Sequence, residues 1–242
     1  MIKKILIITD DFIHNSEKSG AVLIKDLADA INSTNKFSSI VLAPDINSYK
    51  IKKLSIKGIE TILFPSGRIK NTNMILRAFN EYLLSYRVKK CYEFIKSEEI
   101  FGIIYYSPSI FFGNAVNYFK KKFSCYSYLI LRDLFPQWTV DLGIIKENSL
   151  SHLFFKHYEK INYKNADRIG VMSESNLKLF TTRSDFNKFE VLPNWQKPVK
   201  TKANKKLLKK YGLSNLSEKF VFFYGGNIGV AQGIKALLAL SK

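Results

Sequence analysis

Short apolar runs that read as strands alternate along this chain with amphipathic runs that read as helices. That alternation narrows the available folds more than any other feature. It predicts an α/β fold in which a mostly parallel, doubly wound sheet carries helices on both faces. Strands are expected at residues 4–9, 39–42, 58–64, 102–106, 127–131, 168–172 and 188–192, and helices at 22–31, 74–97, 110–122, 152–164 and 175–180. The 74–97 helix carries a core stripe of Leu84, Val88, Cys91 and Ile95, at steps of four, three and four. Ser107 is expected to cap the next helix, with Pro108 in its first position. The 152–164 helix sets Phe154, Tyr158 and Ile161 opposite Lys156, Lys160 and Lys164. It reads either as a core helix with a solvated back or as a helix lying on an anionic bilayer. Tyr163, among the lysines, favours the second.

Near the end of the chain the pattern changes. Lys219-Phe220-Val221-Phe222-Phe223-Tyr224 reads as a buried strand, Gly225-Gly226-Asn227-Ile228-Gly229 as a glycine-rich turn, and residues 232–242 as a helix. A strand, such a turn and a helix form the entry to a nucleotide-binding unit, in which backbone N–H groups face phosphate. Residues 196–210 hold seven lysines and read as a connector, with a short helix near 205–211. The expected organisation is a Rossmann-like domain over 1–195, a basic linker over 196–218, and at 219–242 the first β-α unit of a second Rossmann-like domain, cut short. Such a stub is expected to expose the helix face of Ile234, Leu237 and Leu238.

The net charge of +18 comes from 38 basic and 20 acidic residues, and only six of the basic residues are arginine. An AT-rich coding sequence would give this lysine excess, and so would an anionic partner such as a membrane surface, a polyanionic lipid head or nucleic acid. Scarce arginine counts against nucleic acid. No run approaches the roughly 18 apolar residues of a membrane span, and Ile5-Leu6-Ile7-Ile8 ends too soon, at Asp10 and Asp11, to be a signal-peptide core. Cys91 and Cys125, in no ligand spacing, read as buried reduced thiols of a cytosolic chain. His152 and His157 are five apart and diverge by about 140° on a helix, so no metal site is visible.

In an open parallel sheet, ligands bind at the carboxyl ends of the strands. The groups expected there are Asp10 and Asp11, leading to Ser19 and Gly20; Tyr106-Ser107-Pro108-Ser109; Arg132-Asp133; Ser173-Glu174-Ser175; and Pro193-Asn194-Trp195. Arg132-Asp133, at the tip of an apolar strand, either forms a structural ion pair or faces a substrate. No Ser-His-Asp order, nucleophile elbow or Walker lysine is present.

Several of these segments resemble a known family. Leu129-Ile130-Leu131-Arg132-Asp133-Leu134-Phe135-Pro136-Gln137-Trp138, followed by Asp141-Leu142-Gly143, resembles the Asp-Leu-Trp-Pro region of bacterial GT-B glycosyltransferases of family four. Val191-Leu192-Pro193-Asn194-Trp195 resembles their domain-end Pro-Asn motif, and Phe223–Gly229 with Ala231-Gln232-Gly233 the first turn of their donor domain. Tyr105–Ser109 and Arg77-Ala78-Phe79-Asn80-Glu81 fit the branch of O-antigen and capsule transferases of N-acetyl-L-fucosamine.

The resemblance implies sugar transfer from a nucleoside diphosphate donor, UDP-linked, to a lipid-linked saccharide acceptor, with retained anomeric configuration. It implies no cofactor, no metal and no nucleic acid, and places the protein in the cytoplasm, peripheral to the inner face of the cytoplasmic membrane. It makes Asp133 a candidate catalytic residue. Ser19, Gly20, Ser107 and Arg132 become candidates for acceptor binding, and Gly226, Asn227, Gly229, Gln232 and Asn194 for donor binding. The family's donor domain carries a glutamate pair that does not occur here, so the chain alone is expected to be inactive. Two alternatives remain open: a split enzyme whose partner chain supplies the donor half, and a non-catalytic basic domain that binds a membrane surface.

Overall fold

The computed structural model describes residues 2–69, 74–198, 209–212, 216, 220–226, 228 and 233–240. The chain divides into two units, Met1–Gln196 and Lys197–Lys242.

The first unit is built on one eight-stranded sheet, in the order β3-β4-β2-β1-β5-β6-β7-β8. Its strands are β1 (Lys3–Ile8), β2 (Phe37–Asp45), β3 (Lys52–Ile56), β4 (Ile59–Pro65), β5 (Ile100–Ser107), β6 (Tyr126–Leu131), β7 (Arg168–Val171) and β8 (Phe189–Val191). All neighbours run parallel except β3, which pairs antiparallel with β4. Leu6, Ile7 and Ile8 are fully buried, as an unbroken apolar run requires of a central strand covered on both faces. β3 is exposed along most of its length and reads in sequence as a lysine-containing loop, so no strand is expected there. Lys57 and Gly58, with φ of 49° and 83°, turn it back onto β4. A two-residue turn with both φ positive matches the twist of paired strands.

From β1 the chain winds outward through β2 and β4, then returns to lay β5 against the other side of β1. That reversal makes β1/β5 the switch point, where crossovers leave in opposite directions and a crevice opens at the strands' carboxyl ends. One face of the sheet packs on α1 (Ser19–Ser33) through Ile7, Val41 and Leu63 against Ile24 and Ala28. The other packs on α3 (Leu84–Lys90) and α4 (Gly113–Phe123), through Val88, Val116 and Phe119.

The single helix expected over 74–97 is α2 (Met74–Tyr82), α3 and a 3-10 turn at Cys91–Phe94. Leu83 between them keeps helical dihedrals, and its N–H still reaches the Phe79 carbonyl at 3.2 Å. The stripe Leu84, Val88, Cys91 and Ile95 is fully buried. Burial lifts the Cys91 thiol to about 12 and Cys125 to about 11, and both cysteines are free. The cap expected of Ser107 belongs to Ser109, whose hydroxyl accepts from the Phe111 N–H at the 3-10 turn leading into α4.

α6 (Leu150–Lys164) corrects a larger expectation. Its most buried residues are His152, Glu159, Asn162 and Tyr163, while Tyr158 and Ile161 of the expected inner side are half-buried and Lys160 and Lys164 are exposed as expected. His152 and Glu159 enter with partners, and a paired polar group loses little on burial. The Asn162 side-chain amide has no partner among the described residues, and only its backbone carbonyl is bonded. His152 Nδ1 accepts from the Asn148 N–H at 3.0 Å, and Glu159 pairs with Lys156 at 2.7 Å and takes a hydrogen bond from the Tyr163 hydroxyl. The Asn162 carbonyl accepts from Tyr105 at 2.6 Å, and Tyr163 sits edge-on to Phe180 and Phe189. Tyr163 is therefore a core residue, not one that faces outward among lysines. The aromatic side of α6 is partly covered: Phe155 and Tyr158 are half-buried against Phe111, with ring centroids at 6.5 and 5.0 Å, and Phe154 stays 42% exposed. Two short helices, α5 (Gln137–Asp141) and α7 (Glu174–Lys178), complete the unit.

The second unit contains α8 (Ile234–Leu240), within the helix expected over 232–242. Residues 220–225 form no strand, and Phe220 is 90% exposed. The apolar run there has the composition of a strand, but among the described residues it meets no ladder to join. The helix expected at 205–211 lies largely outside the described residues. No helix among the described residues is long and apolar enough to cross a membrane.

Candidate functional site

The switch point gathers residues from three elements. Tyr106, next to last in β5, accepts a hydrogen bond of 2.6 Å from Arg132, the residue that follows β6. Gly20, in the first turn of α1, lies over the same phenol: a Cβ there would stand 3.3 Å from its oxygen. Glycine thus lets the N-terminus of α1 close on Tyr106. Burial raises the Tyr106 pKa, Arg132 opposes that rise, and the nearby carboxylates of Asp10 and Asp133 add to it. The phenol therefore stays protonated. A guanidinium has five N–H donors, and one bond to Tyr106 leaves others for an anion.

Two pockets flank this pair. The first, of about 300 Å³, is lined by Asp10, Asp11, Asn15, Ser16, Lys18 and Arg68 together with the apolar Pro44, Ile46 and Ile69. Its loop is held by short-range bonds: Ser16 donates to Asp11 at 2.9 Å, and the Asn47 N–H and Asn15 amide both donate to Asp45. Arg68 is placed by Asn80 of α2, whose amide donates to the Arg68 carbonyl at 3.1 Å. Burial pushes the His14 imidazole, on this loop, below the usual histidine value, against the pull of Asp45.

The second pocket, of about 260 Å³, is mostly apolar and is lined by Pro108, Phe135, Trp138, Ile144 and Phe155, with Asp133 and Glu81 as its acids. The loop after β6 is fixed by its rings: Phe135 meets Phe155 edge-on at 4.9 Å and Trp138 at 6.2 Å.

Of the residues expected to act, Gly20, Arg132 and Asp133 come together here. Ser19 is exposed at the start of α1. The Ser107 hydroxyl is fully buried, has no hydrogen-bond partner among the described residues, and lines neither pocket. Asn194 is exposed beyond β8, and next to it Trp195 donates to the Leu23 carbonyl of α1 at 3.0 Å. Gly226 lies in the second unit, and Asn227, Gly229 and Gln232 lie outside the described residues. The sequence placed Tyr106 on the binding rim and Trp138 in the family-like segment without giving either a role, and it did not single out Lys18 or Arg68. Arg68 had a usable signal, since it follows a strand and so stands at the binding edge.

No protein-family model and no curated protein matches the sequence. Solved structures do match. One is Arabidopsis thaliana UGT89C1 complexed with quercetin, 13% identical over 87% of this chain and 55% of that one, with a TM-score of 0.55. Another is the trehalose-6-phosphate protein from E. coli bound with UDP-2-fluoro glucose, 15% identical over 98% of this chain and 55% of that one, with a TM-score of 0.50. At such identities the likeness shows the fold: a Rossmann-like α/β fold of the kind found in GT-B glycosyltransferases. This chain spans about half the length of those two proteins.

Proposed function

We propose that this chain takes part in transferring a sugar from a UDP-linked donor to a lipid-linked saccharide acceptor in surface-polysaccharide (O-antigen or capsule) synthesis, with N-acetyl-L-fucosamine as the sugar. The observation that carries the reading is the Arg132–Tyr106 pair at the switch point, set between a polar pocket and an apolar one. A lipid-linked saccharide is polar at one end, apolar at the other and anionic between them. The polar pocket suits the saccharide, Arg132 the bridging phosphates, and the apolar pocket the first part of the lipid. Asp133, beside the pair, orients the acceptor or the reacting sugar. Donor contacts fall to Gly226, Asn227, Gly229, Gln232 and Asn194, with no metal, and a partner chain is a further candidate to supply donor-binding residues. The sequence resemblance supports the branch, and the UDP-2-fluoro glucose in the E. coli protein supports the donor class. The site of action is the inner face of the cytoplasmic membrane.

The test is retention of a detergent-solubilised polyprenyl-diphosphate saccharide by the purified chain. Retention that falls at least tenfold in Arg132→Gln supports the assignment. No retention, or retention undiminished in the variant, overturns it.

A further inference from the structure

The exposed side of α6 is apolar at its start and basic at its end. Its outer line runs Leu150, Leu153, His157, Lys160 and Lys164, at steps of three, four, three and four, which is one stripe along a helix. Leu150 is 89% exposed, Leu153 53% and the neighbouring Phe154 42%. α2 extends this apolar end: Phe79 and Tyr82, three residues apart, are 59% and 46% exposed. The Tyr82 ring lies 6.3 Å from Phe154 and 5.8 Å from Tyr158, so the two helices present one continuous face. The apolar pocket borders it, because Phe155 of α6 and Ala78 of α2 are among its walls.

The other end of the stripe is cationic. Lys156 is taken up by Glu159, but among the described residues Lys160 and Lys164 are exposed without an ion-pair partner. A protein partner would cover leucine and aromatic side chains too, but protein interfaces are depleted in lysine. Leucine and phenylalanine beside tyrosine, followed on the same line by free lysines, match the layers of a lipid surface. The first group enters the acyl boundary, tyrosine sits at headgroup level, and ammonium groups meet the phosphates. The net charge of +18 acts in the same direction.

We propose that the α2–α6 face docks on an anionic lipid bilayer through Leu150, Leu153, Phe154, Phe79 and Tyr82, with Lys160 and Lys164 at the headgroups. The inference rests on the reading that the acceptor is lipid-linked, and it brings the apolar pocket to the membrane surface.

Co-sedimentation of the full chain with vesicles tests it, using phosphatidylcholine alone and phosphatidylcholine mixed with phosphatidylglycerol. Binding is expected to the anionic mixture and to be weak on phosphatidylcholine. Leu150→Gln/Leu153→Gln keeps helix propensity at exposed positions and is expected to lose at least tenfold in binding with its melting temperature unchanged. Lys160→Glu/Lys164→Glu is expected to lose more than tenfold, since each surface lysine contributes about fivefold. Lys36→Glu/Lys50→Glu makes the same change in net charge elsewhere and is expected to retain most of its binding.

If that control loses as much as the face variant, net charge alone drives binding and the docking face is refuted. If the leucine and lysine variants all bind like the parent, the face is wrong while placement at a membrane stands. If the parent binds neither vesicle, both fall, and acceptor retention in detergent still judges the transfer reading separately. Self-association that the leucine variant abolishes, without effect on vesicle binding, would assign the face to a second copy of the chain.

Discussion

The two pockets on the binding edge of the first unit are of similar size and differ in their side chains, the first carrying more charged and polar groups and the second more rings. The one beside β1 is walled by Asp10, Asp11, Asn15, Ser16, Lys18 and Arg68; the one beside β6 is walled by Phe135, Trp138, Ile144 and Phe155. The difference arises from the sheet. On the β1 side the strand ends run into a loop held by carboxylate and amide hydrogen bonds, so polar groups stay at the surface with partners. On the β6 side the loop is held by edge-on and tilted ring contacts, Phe135 meeting Phe155 of α6 and Trp138. Arg132, bonded to Tyr106, stands at the boundary. A site with two such halves recognises a molecule with two such halves, and either half can be removed separately.

The largest effect expected concerns the scaffold both halves share. Phe119 is fully buried in α4, and Phe119→Ala should cost about 3–5 kcal/mol in urea unfolding. A loss below about 1 kcal/mol would mean that the core under the apolar side is not packed as described. Next, Arg132→Gln should lower retention of the diphosphate-bearing acceptor at least tenfold while shifting the melting temperature little, because Arg132 is only partly buried. Third, Trp138→Ala should weaken retention of the full lipid-linked acceptor by about 1–2 kcal/mol, judged from the apolar area it contributes, and leave a short-chain water-soluble analogue unchanged. Equal losses for both ligands would erase the distinction between the pockets.

The smallest effect is a pH dependence. Burial raises the Asp167 carboxyl, but hydrogen bonds from Lys120 and Ser127 outweigh it, so its folded pKa lies below the usual aspartate value. A lowered folded pKa contributes stability above the unfolded value, near 4, that is lost as pH falls through the folded value. The gap in unfolding free energy between the parent and Asp167→Asn, about 1 kcal/mol at neutral pH given the partial exposure of the pair, should therefore close below about pH 4. Asp167 ties the start of β6 to the connector into β7, at the strand ends opposite the pockets, so the effect reports on the sheet and not on the site.

The doubly wound sheet was legible because its parallel strands are buried on both faces and so appear as unbroken apolar runs. β3 was not, because an edge strand reading Lys52-Lys53-Leu54-Ser55-Ile56 carries no such run. Arg132 and Asp133 stood out as charges at a strand tip. Tyr106 was placed on the same rim, but its bond to Arg132 was not legible, since only the β5–β6 pairing brings a guanidinium 26 residues away to its hydroxyl. The orientation of α6 was illegible for a different reason. Its buried residues include histidine and glutamate, which are held by the Asn148 N–H and Lys156, and an asparagine whose side chain has no partner among the described residues. Pattern alone places Tyr158 and Ile161 on the inner side, where they are half-buried, and does not foresee the polar residues and Tyr163 beside them.

Photo-crosslinking with a polyprenyl-diphosphate saccharide that carries a diazirine either on its first isoprene unit or on its sugar would locate both ends of the acceptor at once. The lipid probe should label residues 133–145 and 150–158, and the sugar probe residues 10–18 and 66–69, each less in Arg132→Gln. Both probes labelling the same segment, or labelling concentrated away from the carboxyl ends of β1, β5 and β6, would contradict a divided acceptor site at the switch point.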